Sequence, residues 1–169
     1  METEVQLSTF ESDTLNGLSA KPKYLSSKYF YDSKGSMIFE DIMRMPEYYL
    51  TDCELEILRV HKQQIARAFG NPENEFELIE LGAGDGLKTK ILLAHLLENK
   101  YKFKYIPIDI SAKSIHGLQQ DLSKNLPDLK FDGLIGDYFQ LIAGLNNFKQ
   151  KSVLFLGSNI GNFGEEKSI

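Results

Sequence analysis

The sequence predicts an α/β protein built on a parallel, doubly wound sheet. From Phe76 onward, short β-rich runs alternate with segments of helical spacing, the pattern of βαβ units. The run FELIEL (Phe76 to Leu81) ends abruptly in Gly82, Gly84 and Gly86 before a helical segment begins. Glycines there let the backbone turn sharply and approach a ligand where a side chain would collide. A last apolar run, SVLFLG (Ser152 to Gly157), suits a strand covered on both faces.

Residues 1–75 are expected to form a helical N-terminal layer, a lid over the sheet, and residues 76–169 the sheet itself. In the first part, Met37, Ile38, Ile42 and Met45 have helical spacing over Ser36 to Met45, and Pro46 closes the segment. Thr51-Asp52-Cys53-Glu54 matches a capping box, opening a helix with Leu55, Leu58, Ile65 and Phe69 inward; Asn71-Pro72 breaks it. After the first strand, Leu87, Ile91, Leu92, Leu96 and Leu97 fall on one helical face. FKYIPID (Phe103 to Asp109) reads as the second strand, with Pro107 awkward because it has no N–H for the ladder. Ser111 caps a helix to about Asn125, where Asn-Leu-Pro stops it. LKFDGLIGD (Leu129 to Asp137) gives a weaker third strand, Tyr138 to Leu145 another helix, and Ser152 to Gly157 the fourth strand. A four-stranded sheet whose last strand is unpaired exposes an apolar edge. The expectation is the front part of a longer protein; failing that, a partner covers the edge, as in a dimer.

Nineteen basic and 24 acidic residues among 169 leave a formal charge of −5. No basic face for nucleic-acid phosphates is expected. Cys53 is the single cysteine, which rules out an internal disulfide and fits a reducing compartment, the cytoplasm. No apolar run is long enough to span a bilayer, and METEVQLSTFESD lacks the basic start and apolar core of a secretion signal. No metal site is expected.

In an open α/β sheet, ligands bind outside the carboxyl ends of the strands. The first such end carries Gly82, Ala83 and Gly84, the second Asp109, the third Asp137-Tyr138 and the fourth Gly157-Ser158-Asn159-Ile160-Gly161-Asn162. Asp109 stands at the right distance beyond the glycines to accept both ribose hydroxyls; it also reads as a solvated cap of the next helix. Asp137 suits an exocyclic adenine amine with the Tyr138 ring against the base, or a helix cap with a core tyrosine. Glu80 reads as a partner of the ligand or loop amides, or as a brace of the loop. The glycine spacing is Gly-x-Gly-x-Gly, neither the dinucleotide fingerprint nor a phosphate loop. S-adenosylmethionine fits better than a pyrophosphate ligand, since it has ribose, adenine and an amino-acid tail. Lys88 is placed either to meet that tail's carboxylate or to be solvated.

The blocks KYLSSKYFYDSKGSMIFEDIMRMPEYYLTDCE, ELGAGDGLKT, YIPIDIS and FLGSNIGNF resemble the histidine-specific S-adenosylmethionine-dependent methyltransferases, from about Lys21 to Phe163. The resemblance implies a Rossmann-like class I methyltransferase sheet, here stopping after its fourth parallel strand. It implies cofactor contacts at Tyr31, Gly82, Lys88, Asp109, Asp137 and Tyr138, with Gly84 in the same turn. It implies that Tyr48 of PEYY and Asn162 of IGN hold the backbone groups of an amino-acid substrate, histidine or a related one. An Asn amide can accept from the amine and donate to the carboxylate. Residue by residue, Tyr48-Tyr49 also reads as a packed turn and Asn162 as a helix cap.

The reaction expected is methyl transfer to an α-amine by in-line displacement. His61, His95 and His116 sit in helical stretches and read as surface or packing residues, so catalysis would rest on proximity, orientation and removal of water. A competing expectation is a non-catalytic module that binds a nucleoside or a partner protein. A nicotinamide-dependent oxidoreductase would need the glycine that the turn lacks.

Overall fold

The computed structural model describes residues 8–30, 33–145 and 149–157. Its sheet is parallel throughout: β1 (Phe76–Leu81), β2 (Phe103–Asp109), β3 (Lys130–Phe131), β4 (Leu134–Ile135) and β5 (Gln150–Leu154). The order is β3-β2-β1-β5, with β4 pairing β2 beyond β3. β1 and β2 run in register from Phe76↔Phe103 to Leu81↔Ile108, so their carboxyl ends finish level.

The expected third strand is thus two short pieces, and Pro107 accounts for the break. Alternate residues of a parallel strand address alternate neighbours. The Tyr105 carbonyl accepts from the Asp132 amide at 3.0 Å and the Asp109 carbonyl from the Gly136 amide at 2.9 Å. Residues 105, 107 and 109 therefore all face β3 and β4. Pro107 has no N–H to give on that side, and the pairing lapses between Tyr105↔Phe131 and Ile108↔Leu134.

The helices are α1 (Thr9–Ser19), α2 (Ser33–Met43), α3 (Leu50–Phe69), α4 (Thr89–Glu98), α5 (Ala112–Asn125) and α6 (Tyr138–Gly144), with a 3-10 turn at Ser27–Phe30. α1 was not anticipated. It has its own capping box: Ser8 Oγ accepts from the Glu11 amide at 3.3 Å, and the Glu11 carboxylate accepts from the Ser8 amide at 2.8 Å. α2 starts before Ser36 and stops short of Met45. The capping box expected at Thr51 is absent: α3 begins at Leu50 with Tyr49 as N-cap, and no side chain caps it. Thr51 and Glu54 lie inside the helix instead. Ser111 does cap α5, accepting from the Ser114 amide at 3.2 Å. Leu87 precedes α4 and is exposed, while Leu92, Leu93 and Leu96 are fully buried.

Alternation along β1 distributes the core. Phe76 and Leu78 join Leu58, Ala66 and Phe69 of α3, the α4 leucines, and Leu118 and Leu122 of α5 on one face. Ile79 and Leu81 join Ile106, Ile108 and the α6 side chains Leu141 and Ile142 on the other. Both faces are covered, as a doubly wound sheet requires. β5 departs from the expected fully buried strand: among the described residues it pairs only with β1, and Val153 is 52% exposed. No helix among the described residues is long and apolar enough to cross a membrane.

Candidate functional site

The turn after β1 passes through three left-handed glycines, Gly82 (φ 72°), Gly84 (φ 56°) and Gly86 (φ 66°). The Gly82 amide donates to the Ile108 carbonyl at 2.8 Å, continuing the β1–β2 ladder, and the Gly86 amide closes the turn on Ala83 at 3.0 Å. The glycines at 84 and 86 serve different ends. A Cβ on Gly84 would meet no atom of the described residues within 4 Å, so this backbone borders open space. A Cβ on Gly86 would come to 2.5 Å of Leu118 Cδ1, so that glycine lets the turn close on α5.

Asp109, half-buried at the end of β2, is tied to this turn. Its Oδ2 accepts from the Gly84 amide at 3.0 Å and its Oδ1 from the Ser111 amide at 2.8 Å. The side-chain cap of α5 is Ser111, which leaves Asp109 to hold the two strand ends together. The bond from Gly136 to the Asp109 carbonyl brings Asp137 to the same rim. There the Asp137 side chain accepts from the Gln140 amide at 3.4 Å and its carbonyl from the Leu141 amide at 3.1 Å, both within the first turn of α6. Tyr138 packs edge-on against Phe155, ring centroids 5.9 Å apart, over the Ile79–Ile106 cluster.

Lys88 is not solvated. It ends the glycine turn just before α4, its side chain is 17% exposed, and its Nζ pairs with the Glu54 carboxylate. The other Glu54 oxygen accepts from the Gly157 amide at 2.9 Å. One carboxylate on α3 thereby links the turn after β1 to the loop after β5. Reading residues 51–54 as a cap concealed Glu54. The signal was its helical spacing: Thr51, Leu55 and Leu58 form an inward stripe, and Glu54 borders it one turn before Leu58.

Glu80 braces the turn from below. It is 3% exposed on the α4 face of the sheet. The Thr89 hydroxyl donates to one of its oxygens and the Tyr105 hydroxyl to the other. Burial pushes its carboxyl up to about 7, against the pull of those two bonds and of Lys88. The Tyr105 hydroxyl is driven well above its ordinary value by burial and then by Glu80.

Tyr48 lies in the turn before α3: its amide donates to the Met45 carbonyl at 3.0 Å, and its ring meets Phe39 edge-on at 6.1 Å. Tyr31, Asn162 and the segment 158–161 lie outside the described residues. His61 bonds Gln64 within α3, and His95 bonds Asn99, the C-cap of α4. No cluster of three or more His, Cys, Asp or Glu suited to a metal ion occurs among the described residues. The structure therefore gathers Gly82, Gly84, Lys88, Asp109 and Asp137 along the carboxyl ends of β1, β2 and β4.

Residues 10–169 match the family model described as histidine-specific methyltransferase, SAM-dependent. Over 150 residues the chain is 35% identical to the histidine N-alpha-methyltransferase of Mycolicibacterium smegmatis, covering 89% of this chain and 46% of that protein. Over 157 residues it is 31% identical to ergothioneine biosynthesis protein 1 of Schizosaccharomyces pombe, covering 89% of this chain and 20% of that one. It thus spans less than half the length of these relatives. Magnesium protoporphyrin IX methyltransferase of Synechocystis PCC 6803, solved with bound SAM, superposes with a TM-score of 0.53 at 16% identity, over 83% of this chain and 64% of that one. That likeness establishes the Rossmann-like class I fold. The chain belongs to the family of SAM-dependent, histidine-specific methyltransferases.

Proposed function

We propose that this chain supplies the S-adenosylmethionine site of an N-methyltransferase acting on the α-amine of an amino acid, histidine or a close relative. The observation that carries the reading is the coupling of Gly84 to Asp109: a left-handed glycine bordering open space, with an acid held at its amide. A carboxylate has about four lone-pair sites. Two are used by Gly84 and Ser111, which leaves capacity for a ribose diol. Asp137 and Tyr138 stand at the adjacent strand end for the adenine. Lys88 addresses the carboxylate of the tail, and Gly82 and Tyr31 complete the cofactor contacts.

When bound, S-adenosylmethionine supplies an electrophilic sulfonium methyl. This chain's residues then have to bring the amine to it. In this reading Tyr48 and Asn162 hold the substrate's amine and carboxylate. The amine must be neutral to attack, and with an α-amino pKa of about 8 much of it is protonated at neutral pH. The proton leaves to solvent or a hydroxyl, and the acceleration comes from orientation and exclusion of water. The acceptor is a small amino acid rather than a nucleic acid, and the reaction is placed in the cytoplasm. The identity of the histidine N-alpha-methyltransferase relatives supports this choice of acceptor.

The test is incubation of the chain with S-adenosylmethionine and L-histidine, with products read by mass spectrometry. The expected product is Nα-methylated histidine, with formation falling about tenfold or more in Tyr48→Phe, which loses one substrate hydrogen bond. Failure to bind the cofactor would overturn this reading, and cofactor binding without methylation of any amino acid would make the chain on its own a nucleoside-binding module.

A further inference from the structure

The inward face of α3 carries polar groups that the cofactor and substrate roles above leave out. Thr51, Glu54, Leu55 and Leu58 share it by helical spacing, and Leu55 and Leu58 are buried. Its direction is settled by Glu54, whose carboxylate reaches Lys88 on the glycine turn and the Gly157 amide after β5. One turn earlier, Thr51 is 6% exposed, and its hydroxyl has no hydrogen-bond partner among the described residues. Buried hydroxyls are rarely left so, because an unmade bond costs more than a made one gains. A threonine needed only for packing would be replaced by valine, which has the same shape without that cost.

Charge indicates what the hydroxyl meets. It stands in the first turn of a 20-residue helix whose N-terminus no side chain caps, so the local field favours an anion. Lys88 is the cation that Glu54 ties to this face. We propose that Thr51 belongs to the cofactor site: its hydroxyl donates to the carboxylate of the cofactor's amino-acid tail, beside the Lys88 ammonium. Glu54 is a positioning residue that holds Lys88 extended toward that carboxylate. A free lysine side chain would lose rotamer freedom on binding, and one already held loses less. This inference rests on the reading of the glycine turn as an S-adenosylmethionine site.

Calorimetry on the full chain with two probes tests it: S-adenosylhomocysteine, and 5′-methylthioadenosine, which has the same adenosine without the amino-acid tail. Thr51→Val is expected to weaken S-adenosylhomocysteine about tenfold, the worth of one hydrogen bond to a charged group. Affinity for methylthioadenosine should stay as in wild type, and the melting temperature should hold or rise. Glu54→Gln, which keeps an acceptor for the Gly157 amide, should show the same selective loss. Unchanged S-adenosylhomocysteine affinity in Thr51→Val, or a parallel loss of both probes, overturns the role of Thr51. Equal or tighter S-adenosylhomocysteine binding in Glu54→Gln, or a parallel loss of both probes there, overturns the positioning role. Wild type binding neither probe removes the proposed cofactor site and this inference together, an outcome distinct from the others.

Discussion

Gly84 and Gly86 are two residues apart, both left-handed, and they separate binding from stability. Alanine at either position incurs backbone strain of about 1–2 kcal/mol. At Gly84 the added methyl enters open space, so Gly84→Ala should lose no more stability than that strain and lose S-adenosylhomocysteine affinity by well over tenfold, read by calorimetry. At Gly86 the methyl strikes Leu118, and overpacking adds about 1–3 kcal/mol. Gly86→Ala should therefore show its main effect as a lowered denaturation midpoint. Glu80 gives a pH signature. Its carboxyl lies near 4.5 when unfolded and about 7 when folded, so folding favours the protonated form. That contribution is complete below about 4.5 and is lost as pH rises through 7, on the order of 3 kcal/mol in total. Denaturant melts between pH 4.5 and 7.5 should show wild-type stability falling relative to Glu80→Gln, which has no proton to lose; parallel curves would contradict the assignment. Sequence alone left Glu80 between ligand contact and brace, because the deciding partners, Thr89 and Tyr105, are nine and 25 positions away.

At the level of elements, α4 is anchored by Leu92, Leu93 and Leu96, each fully buried. Leu93→Ala should cost about 3 kcal/mol through lost burial and the cavity left behind, measured by chemical denaturation. α1 should behave differently: removing the Ser8 hydroxyl costs about 1 kcal/mol and should appear as faster amide exchange in α1 with the sheet unaffected. The contrast between the Ser8 and Thr51 boxes shows where sequence reading stops. Both match the same spacing, but the first is solvent-exposed, where local hydrogen bonds decide. The second lies on a buried stripe, where packing carries the helix back to Leu50. β1, β2 and α5 were legible because their patterns are local: two short β-rich runs and a serine cap. The splitting of the third strand was not, since it depends on which neighbour Pro107 faces, and that follows only from the sheet order.

Across the whole molecule, parallel strands in register deliver the glycine turn, Asp109 and Asp137 to one rim, while α3 closes that rim through Glu54. The rim residues could be listed from sequence because strand-end positions follow from topology. The α3 contribution could not, because it joins residues 34 and 103 positions apart. The central claim is that the rim seats an adenosine whose ribose is gripped by Asp109. Isothermal calorimetry of S-adenosylhomocysteine against wild type and Asp109→Ala, with circular dichroism showing both folded, tests it directly. Wild type should bind clearly and the variant about a hundredfold more weakly, two charge-assisted hydrogen bonds' worth; equal affinities would contradict the ribose role of Asp109.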